Sequence, residues 1–163
     1  EQRLNLLDYG CVRIFDPDFI DAVITLYEGI RDHDRDKRAY AYEQWGFADL
    51  STELMDTLDI WSSFIYGPLL DDRTRMIAED VAPGSYGRAE AMAVHARLKK
   101  LGPVTPPREF VFMDRAAIGL GSVFIRLGAK KNWHRLFEEE RAATNSQKRR
   151  ESQENLLQSL ASV

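Results

Sequence analysis

Cysteine is almost missing from this chain. Cys11 stands alone among 163 residues, so no disulfide can form within it, and stability must come from buried surface. A lone thiol fits a reducing compartment. Long apolar runs are missing too. The nearest, AAIGLGSVFI at 116–125, falls short of the roughly 18 residues that a membrane span requires. With Asp114, Arg115 and Arg126 flanking it, this run reads as a buried core helix. No basic stripe dominates. A formal net charge of −4 and a pI near 5.4 exclude a protein that tracks nucleic-acid phosphates, so no nucleic-acid partner is expected. The opening residues show no signal-peptide pattern, because Asn5 and Asp8 interrupt their short apolar stretch.

Familiar chemistry-bearing motifs are also absent. There is no GxxxxGKS/T, no GxSxG and no GxGxxG; Gly119 and Gly121 lie inside a helical pattern and cannot form a phosphate-binding loop of the usual kind. His33, His95 and His134 are far apart, without the HxxxH or HExxH spacing of a zinc site. DHDRDKRAYAYE at 32–43 puts Asp32, Asp34, Asp36 and Glu43 where an EF-hand loop needs its oxygen ligands. However, Lys37 occupies the turn position that requires glycine, and Arg31, Arg35 and Arg38 crowd the same stretch with positive charge. It reads instead as a solvated connection leading into an amphipathic helix.

What is present is mostly helix. Asp16-Pro17 forms a helix start, since Asp accepts orphan N–H groups and Pro suits the first helical position. Phe19, Val23, Leu26, Tyr27 and Ile30 follow on one face. A second helix carries Tyr42 and Trp45 inward and stops at Gly46. A third runs from Ser51 to Gly67-Pro68 with Leu54, Leu58, Trp61, Phe64 and Ile65 at steps of three and four. A fourth begins at Ser85 and closes at Gly102-Pro103. The fifth opens at Pro106 or Pro107, and Phe110, Met113, Ala117, Leu120, Phe124 and Leu127 form its apolar set, with further apolar residues on its other faces. A helix apolar nearly all round is expected at the centre of the fold. Gly119 and Gly121 each cost it about 1 kcal/mol of helix propensity, which points to a neighbour approaching closely. Asp114-Arg115 within it reads as a structural ion pair. A short sixth helix uses Trp133, Leu136 and Phe137. The polar stretch 144–163 reads as a frayed or weakly helical tail, docked weakly by Leu156, Leu157 and Leu160.

LNLLDYGCVRIF at 4–15 carries the sharpest question. A strand ending in Asp-aromatic-Gly is how protein kinases present the carboxylate that binds magnesium at the nucleotide phosphates. Magnesium needs hard oxygen ligands, and glycine lets the backbone turn away. Asp and Gly are equally at home in plain turns. The Asp16-Pro17 helix start leaves no room for an activation loop, and no Ala-Pro-Glu follows. If Asp8 is a metal ligand, the fold lacks the usual peptide-substrate platform.

That combination resembles the C-terminal part of the UbiB/AarF-type atypical kinases. Two segments carry the resemblance, LNLLDYGCVRIFDPDFIDAVITLY at 4–27 and PPREFVFMDRAAIGLGSVFIRLGAKKNWHRLF at 106–137, and it extends over roughly residues 4–140. It implies a kinase-like fold with extra helices, ATP and magnesium as cofactors, and a role in ubiquinone biosynthesis. It also implies a place in the cytoplasm or mitochondrial matrix, peripheral to the inner membrane. Asp8 matches the family's metal-binding Asp, reaching ATP through magnesium, while Tyr9 replaces the commoner Phe. The family's remaining catalytic residues belong upstream of residue 1, so no catalytic residue is expected within this chain and its partner is the missing N-terminal lobe. ATP, an isoprenoid lipid and the membrane surface complete the implied partners. The expected architecture is mainly α: a helical C-lobe portion of a kinase-like fold over 1–143, with a short N-terminal β strand or hairpin, and the tail 144–163. The competing reading is a non-catalytic helical module that binds a protein partner or lipid.

Overall fold

The computed structural model describes residues 13–82, 84–102, 107–143 and 145–161. Asp8, Tyr9, Cys11 and the expected strand at residues 4–8 lie outside them. Among the described residues the chain is mainly helical, and no helix is long and apolar enough to cross a membrane.

The first three helices follow their capping residues. In α1 (Pro17–Arg31) the Asp16 side chain accepts the Asp18 N–H at 2.8 Å, with Pro17 at the first helical position. In α2 (Arg35–Gln44) Asp34 is the cap, accepting from the Lys37 N–H. Neighbouring Asp32 takes the Arg31 guanidinium at 2.8 Å, and this hydrogen bond, reinforced by Lys37, holds its carboxyl at about 2. The acidic cluster at 32–36 therefore caps and pairs rather than gathering round a cation. Ser51 caps α3 (Thr52–Tyr66), and Gly46 turns the chain before it with φ +93°. A 3-10 turn at Gly67–Leu69 ends this first unit.

Its core joins Leu26 and Tyr27 of α1, Ala41 and Tyr42 of α2, and Leu54, Leu58 and Tyr66 of α3, with Trp45 and Phe47 between. Buried phenols need partners, and each here has one. Tyr42 donates to Asp59 at 2.8 Å and lies 2.8 Å from the Ser62 hydroxyl, while Arg38 completes Asp59 at 2.5 Å. Burial, with Asp59 adding to it, raises the Tyr42 phenol well above its ordinary range and keeps it a neutral donor. Tyr66 donates to the Val23 carbonyl at 2.9 Å, tying α3 to α1.

The second half comprises β1 (Thr74–Met76), α4 (Arg88–Leu101), α5 (Arg108–Arg126), β2 (Lys130–Asn132), α6 (Trp133–Ala143) and α7 (Ser146–Ala161). The two short strands pair antiparallel, with Thr74 opposite Asn132 and Met76 opposite Lys130. The Trp133 indole N–H donates to the Arg75 carbonyl at 2.9 Å, and Asp72 accepts from Asn132 and Arg135, so side chains clamp this small ladder. The chain then returns to α1, where Tyr27 donates to Glu138 at 2.7 Å.

The two strands of the described structure lie at 74–76 and 130–132, in stretches without strand-like alternation, and the expected strand at 4–8 is outside the described residues. Three sequence expectations change. Helix α4 starts after Gly87 rather than at Ser85, which leaves Tyr86 buried ahead of the helix. Helix α5 is not central: Leu120, Val123 and Leu127 are exposed, Leu127 at 72%. The tail helix α7 is docked by polar contacts, Arg149 to Asp21 at 2.8 Å and Gln153 to the Phe15 carbonyl at 2.8 Å, while Leu156, Leu157 and Leu160 stay exposed.

Replacing Tyr42 by Phe strips Asp59 of a buried donor while keeping the ring. Urea denaturation should show a loss of about 1–3 kcal/mol, with unchanged helical circular dichroism. Changing Gly121 to Ala drives a methyl into the Tyr86 ring, whose Cδ1 would lie only 2.8 Å away, and should lose about 1–3 kcal/mol in the same assay.

Candidate ligand cavity between α3, α4 and α5

Helix α4 packs its half-buried Leu98 and Leu101 against the core at one end and meets α3 and α5 at its first turn. Gly87 sits there with φ +74°, where a Cβ would approach Ile118 Cδ1 to 2.6 Å and the Phe64 ring to 3.2 Å. Beside it the Tyr86 ring packs on Phe64 at 4.8 Å between centroids and presses against Gly121. The close approach inferred at Gly121 is thus real, but a side chain makes it rather than a backbone. Gly119 has open space around it.

Beyond that contact no side chain of α4 is buried, and a cavity of about 760 Å³ separates α4 from α3 and α5. Leu58 and Trp61 of α3, Val94 and Leu98 of α4, and Phe110 and Ile118 of α5 give it apolar walls. This is within the range of about 300–1,000 Å³ typical of small-molecule sites. Five ionisable side chains also line it: Asp114, Tyr86, Arg88, His95 and Arg115. The last three are exposed and belong to its rim, whereas Asp114 is half-buried and Tyr86 is buried.

Asp114 is the chemically distinctive group. Burial pushes its carboxyl up to about 6, and the Trp61 indole N–H pulls weakly the other way. That N–H is itself buried and lacks the geometry of a full hydrogen bond to any acceptor among the described residues. The expected structural ion pair finds no partner for Asp114 among the described residues, and Arg115 faces solvent. A desolvated acid beside a buried indole N–H, in an apolar cavity, weakens the fold, a pattern typical of binding sites.

The inward line of α5 is Phe110, Asp114, Ile118, Gly121 and Ile125, not the expected stripe that included Leu120 and Leu127. These residues follow steps of four, four, three and four, so an aspartate set between apolar residues on that line was the available signal for the site. His134 is remote from the cavity, its Nδ1 2.7 Å from the Leu69 carbonyl. Among the described residues no three His, Cys, Asp or Glu side chains gather to hold a metal. The described residues do not themselves make a magnesium site, and Asp8 lies outside them.

The sign of the Asp114 effect follows from linkage. Its folded value of about 6 exceeds the ordinary 3.8, so the folded state holds the proton more tightly between those values. The stability this group contributes is fully present below about pH 4 and is lost as pH rises through about 6. Asp114→Asn should therefore be more stable than wild type at pH 7.5, by about 2–3 kcal/mol, and nearly equal to it at pH 4. Paired urea titrations at the two pH values check this; a constant difference between them would rule out a raised carboxyl.

No family model, curated protein or solved structure matches this chain.

Proposed function

We propose that this chain is the C-terminal helical part of an ATP- and magnesium-dependent atypical kinase or ATPase of the UbiB/AarF type that supports ubiquinone biosynthesis. Asp8 is the metal ligand in this reading, and the other catalytic residues lie upstream of residue 1. The observation that carries it is the pair of segments at 4–27 and 106–137 that resemble that family. The helical architecture supports it, as does the cap at Asp16, which starts α1 six residues after Gly10 and leaves no length for a peptide-binding activation loop. The site of action in this reading is the inner-membrane surface, approached from the cytoplasm or mitochondrial matrix, without a membrane span from the described helices.

What this chain's own residues do is limited: one carboxylate orients a magnesium ion whose other ligands come from elsewhere in the parent protein. Magnesium, when bound, neutralises and orients the phosphates of ATP. ATP turnover by the full-length protein should fall about 100-fold or more in Asp8→Asn. Equal rates would remove Asp8 from the mechanism. The chain of 163 residues alone should not bind magnesium–ATP measurably; binding that is lost in Asp8→Asn would show instead that the chain holds a complete site.

A second reading coexists with the first, because a different observation favours it. The cavity between α3, α4 and α5, with its buried Asp114, suits an apolar ligand with a small polar group. Here the helical part is also a lipid-binding module.

A further inference from the structure

Helix α5 carries a second apolar line, which the described structure leaves open. Ala116, Leu120, Val123 and Leu127 follow steps of four, three and four, about half a turn round from the inward line. Leu120 is 56% exposed, Val123 51% and Leu127 72%. Single exposed apolar side chains are ordinary, but three neighbours on one helix face mark an interaction surface. We infer that this outer face of α5 docks on an anionic lipid surface, its leucines entering the boundary between headgroups and acyl chains. The inference rests on the reading above that the parent protein works at a membrane surface, and needs neither Asp8 nor ATP.

Charge selects the occupant. From Arg115 to Phe137 the chain holds five Lys and Arg residues and no Asp or Glu, in a protein whose net charge is −4. Arg108, Arg115 and Arg126 are exposed, and their spacings of seven and eleven put them along one edge of the outer face. Among the described residues Arg115, Arg126, Lys130 and Lys131 have no carboxylate partner. Acids at the two ends of the face are already engaged, Glu109 by Arg13 and Asp72 by Arg135. Salt limits the reach of charge to about 8 Å, so these local cations, not the net charge, meet an anionic headgroup layer. Arginine stems beside an apolar helix face let guanidinium groups reach phosphate while the leucines go deeper.

The other exposed leucines lack this setting. Leu156, Leu157 and Leu160 on α7 follow Glu151 and Glu154, and the nearby Arg149 and Arg150 are held by Asp21 and Asp18. A second copy of the chain is a poorer occupant, because pairing two α5 faces brings like charges together.

The test sediments the whole chain with phosphatidylcholine vesicles, with and without about 30% phosphatidylglycerol, in about 0.1 M salt. Wild type should bind the anionic vesicles at least about tenfold more tightly than the neutral ones, since each cation near such a surface contributes about fivefold. Leu120→Ser with Leu127→Ser, and separately Arg115→Gln with Arg126→Gln, should each weaken that binding about tenfold or more. All four side chains are exposed, so both pairs should keep the wild-type circular dichroism; if one does not, the other decides. Leu156→Ser with Leu157→Ser should leave binding unchanged. Binding that survives both α5 pairs, or falls equally in the α7 pair, overturns the assignment of this face but leaves the membrane reading standing. Equal binding to both vesicles overturns the anionic partner. No binding to either removes the docking face altogether, and self-association lost in the leucine pair would then give the face to a second copy. ATP turnover by the full-length protein is read separately, so none of these outcomes touches the kinase reading.

Discussion

Tyr27 is the point on which the two halves of this molecule depend. It is fully buried in the middle of α1, and its ring packs against Tyr66 of α3 and Phe137 of α6, the latter at 4.7 Å between centroids. Its hydroxyl leaves the core at one place only, to Glu138, which Arg141 also engages before reaching Glu28 back on α1. One side chain of α1 therefore supplies apolar contact to two further helices and begins the polar chain that locks α6 onto α1. Burial first, then the hydrogen bond to Glu138, pushes its phenol up to about 12, so it remains a donor throughout the physiological range. Removing the ring would open a cavity among three helices; removing only the hydroxyl would leave Glu138 to its arginine.

The first unit of the fold treats polar groups differently from the second. Around α1 to α3, Tyr42, Tyr66 and Trp45 all find partners, and Arg38 and Asp59 share one charge pair inside the network. Such networks specify one packing, although here the buried Arg38 Nε has no partner among the described residues. Around α3 to α5 polar groups are sparse: Asp114 is desolvated beside the Trp61 indole, and α4 contributes nothing fully buried. The contrast lies within one helix, since α3 serves the sealed core with Leu54 and Ser62 and the open cavity with Trp61. A carboxyl kept in apolar surroundings is a destabilising feature, and stability elsewhere in the fold has to offset it.

Much of the helical framework was legible because its signals are local. Asp16-Pro17, Ser51 and Gly46 act through atoms within a few residues, so reading them needs no knowledge of the rest of the fold. The strands were not legible. TRM and KKN have no period-two pattern, and they pair because Trp133, Asn132 and Arg135 bring their backbones together across a long separation. Helix α5 shows a subtler limit. Its sequence is apolar on more than one face, so periodicity established the helix without indicating which face is covered, and Leu120 and Leu127 lie outside. The cavity depends on three helices at once, and its only local trace was Asp114 on an otherwise apolar line. The kinase resemblance rests on a part of the chain, around Asp8, that the described residues do not include.

The β1–β2 pair also changes what kind of segment α4 and α5 are. Met76 and Lys130 face each other across that ladder, so everything between them leaves and returns through one clasp. Helices α4 and α5 form an excursion from a body that closes without them, through Tyr27 and Glu138. The Trp45 and Phe47 rings hold the excursion down by tilted and edge-on contacts with Phe110, Leu98 and Leu101 pack on the same core, and Tyr86 holds it through Phe64. A segment tethered in this way can loosen as a unit while the clasp and the three-helix core remain intact. The cavity lies along the seam between this excursion and the core.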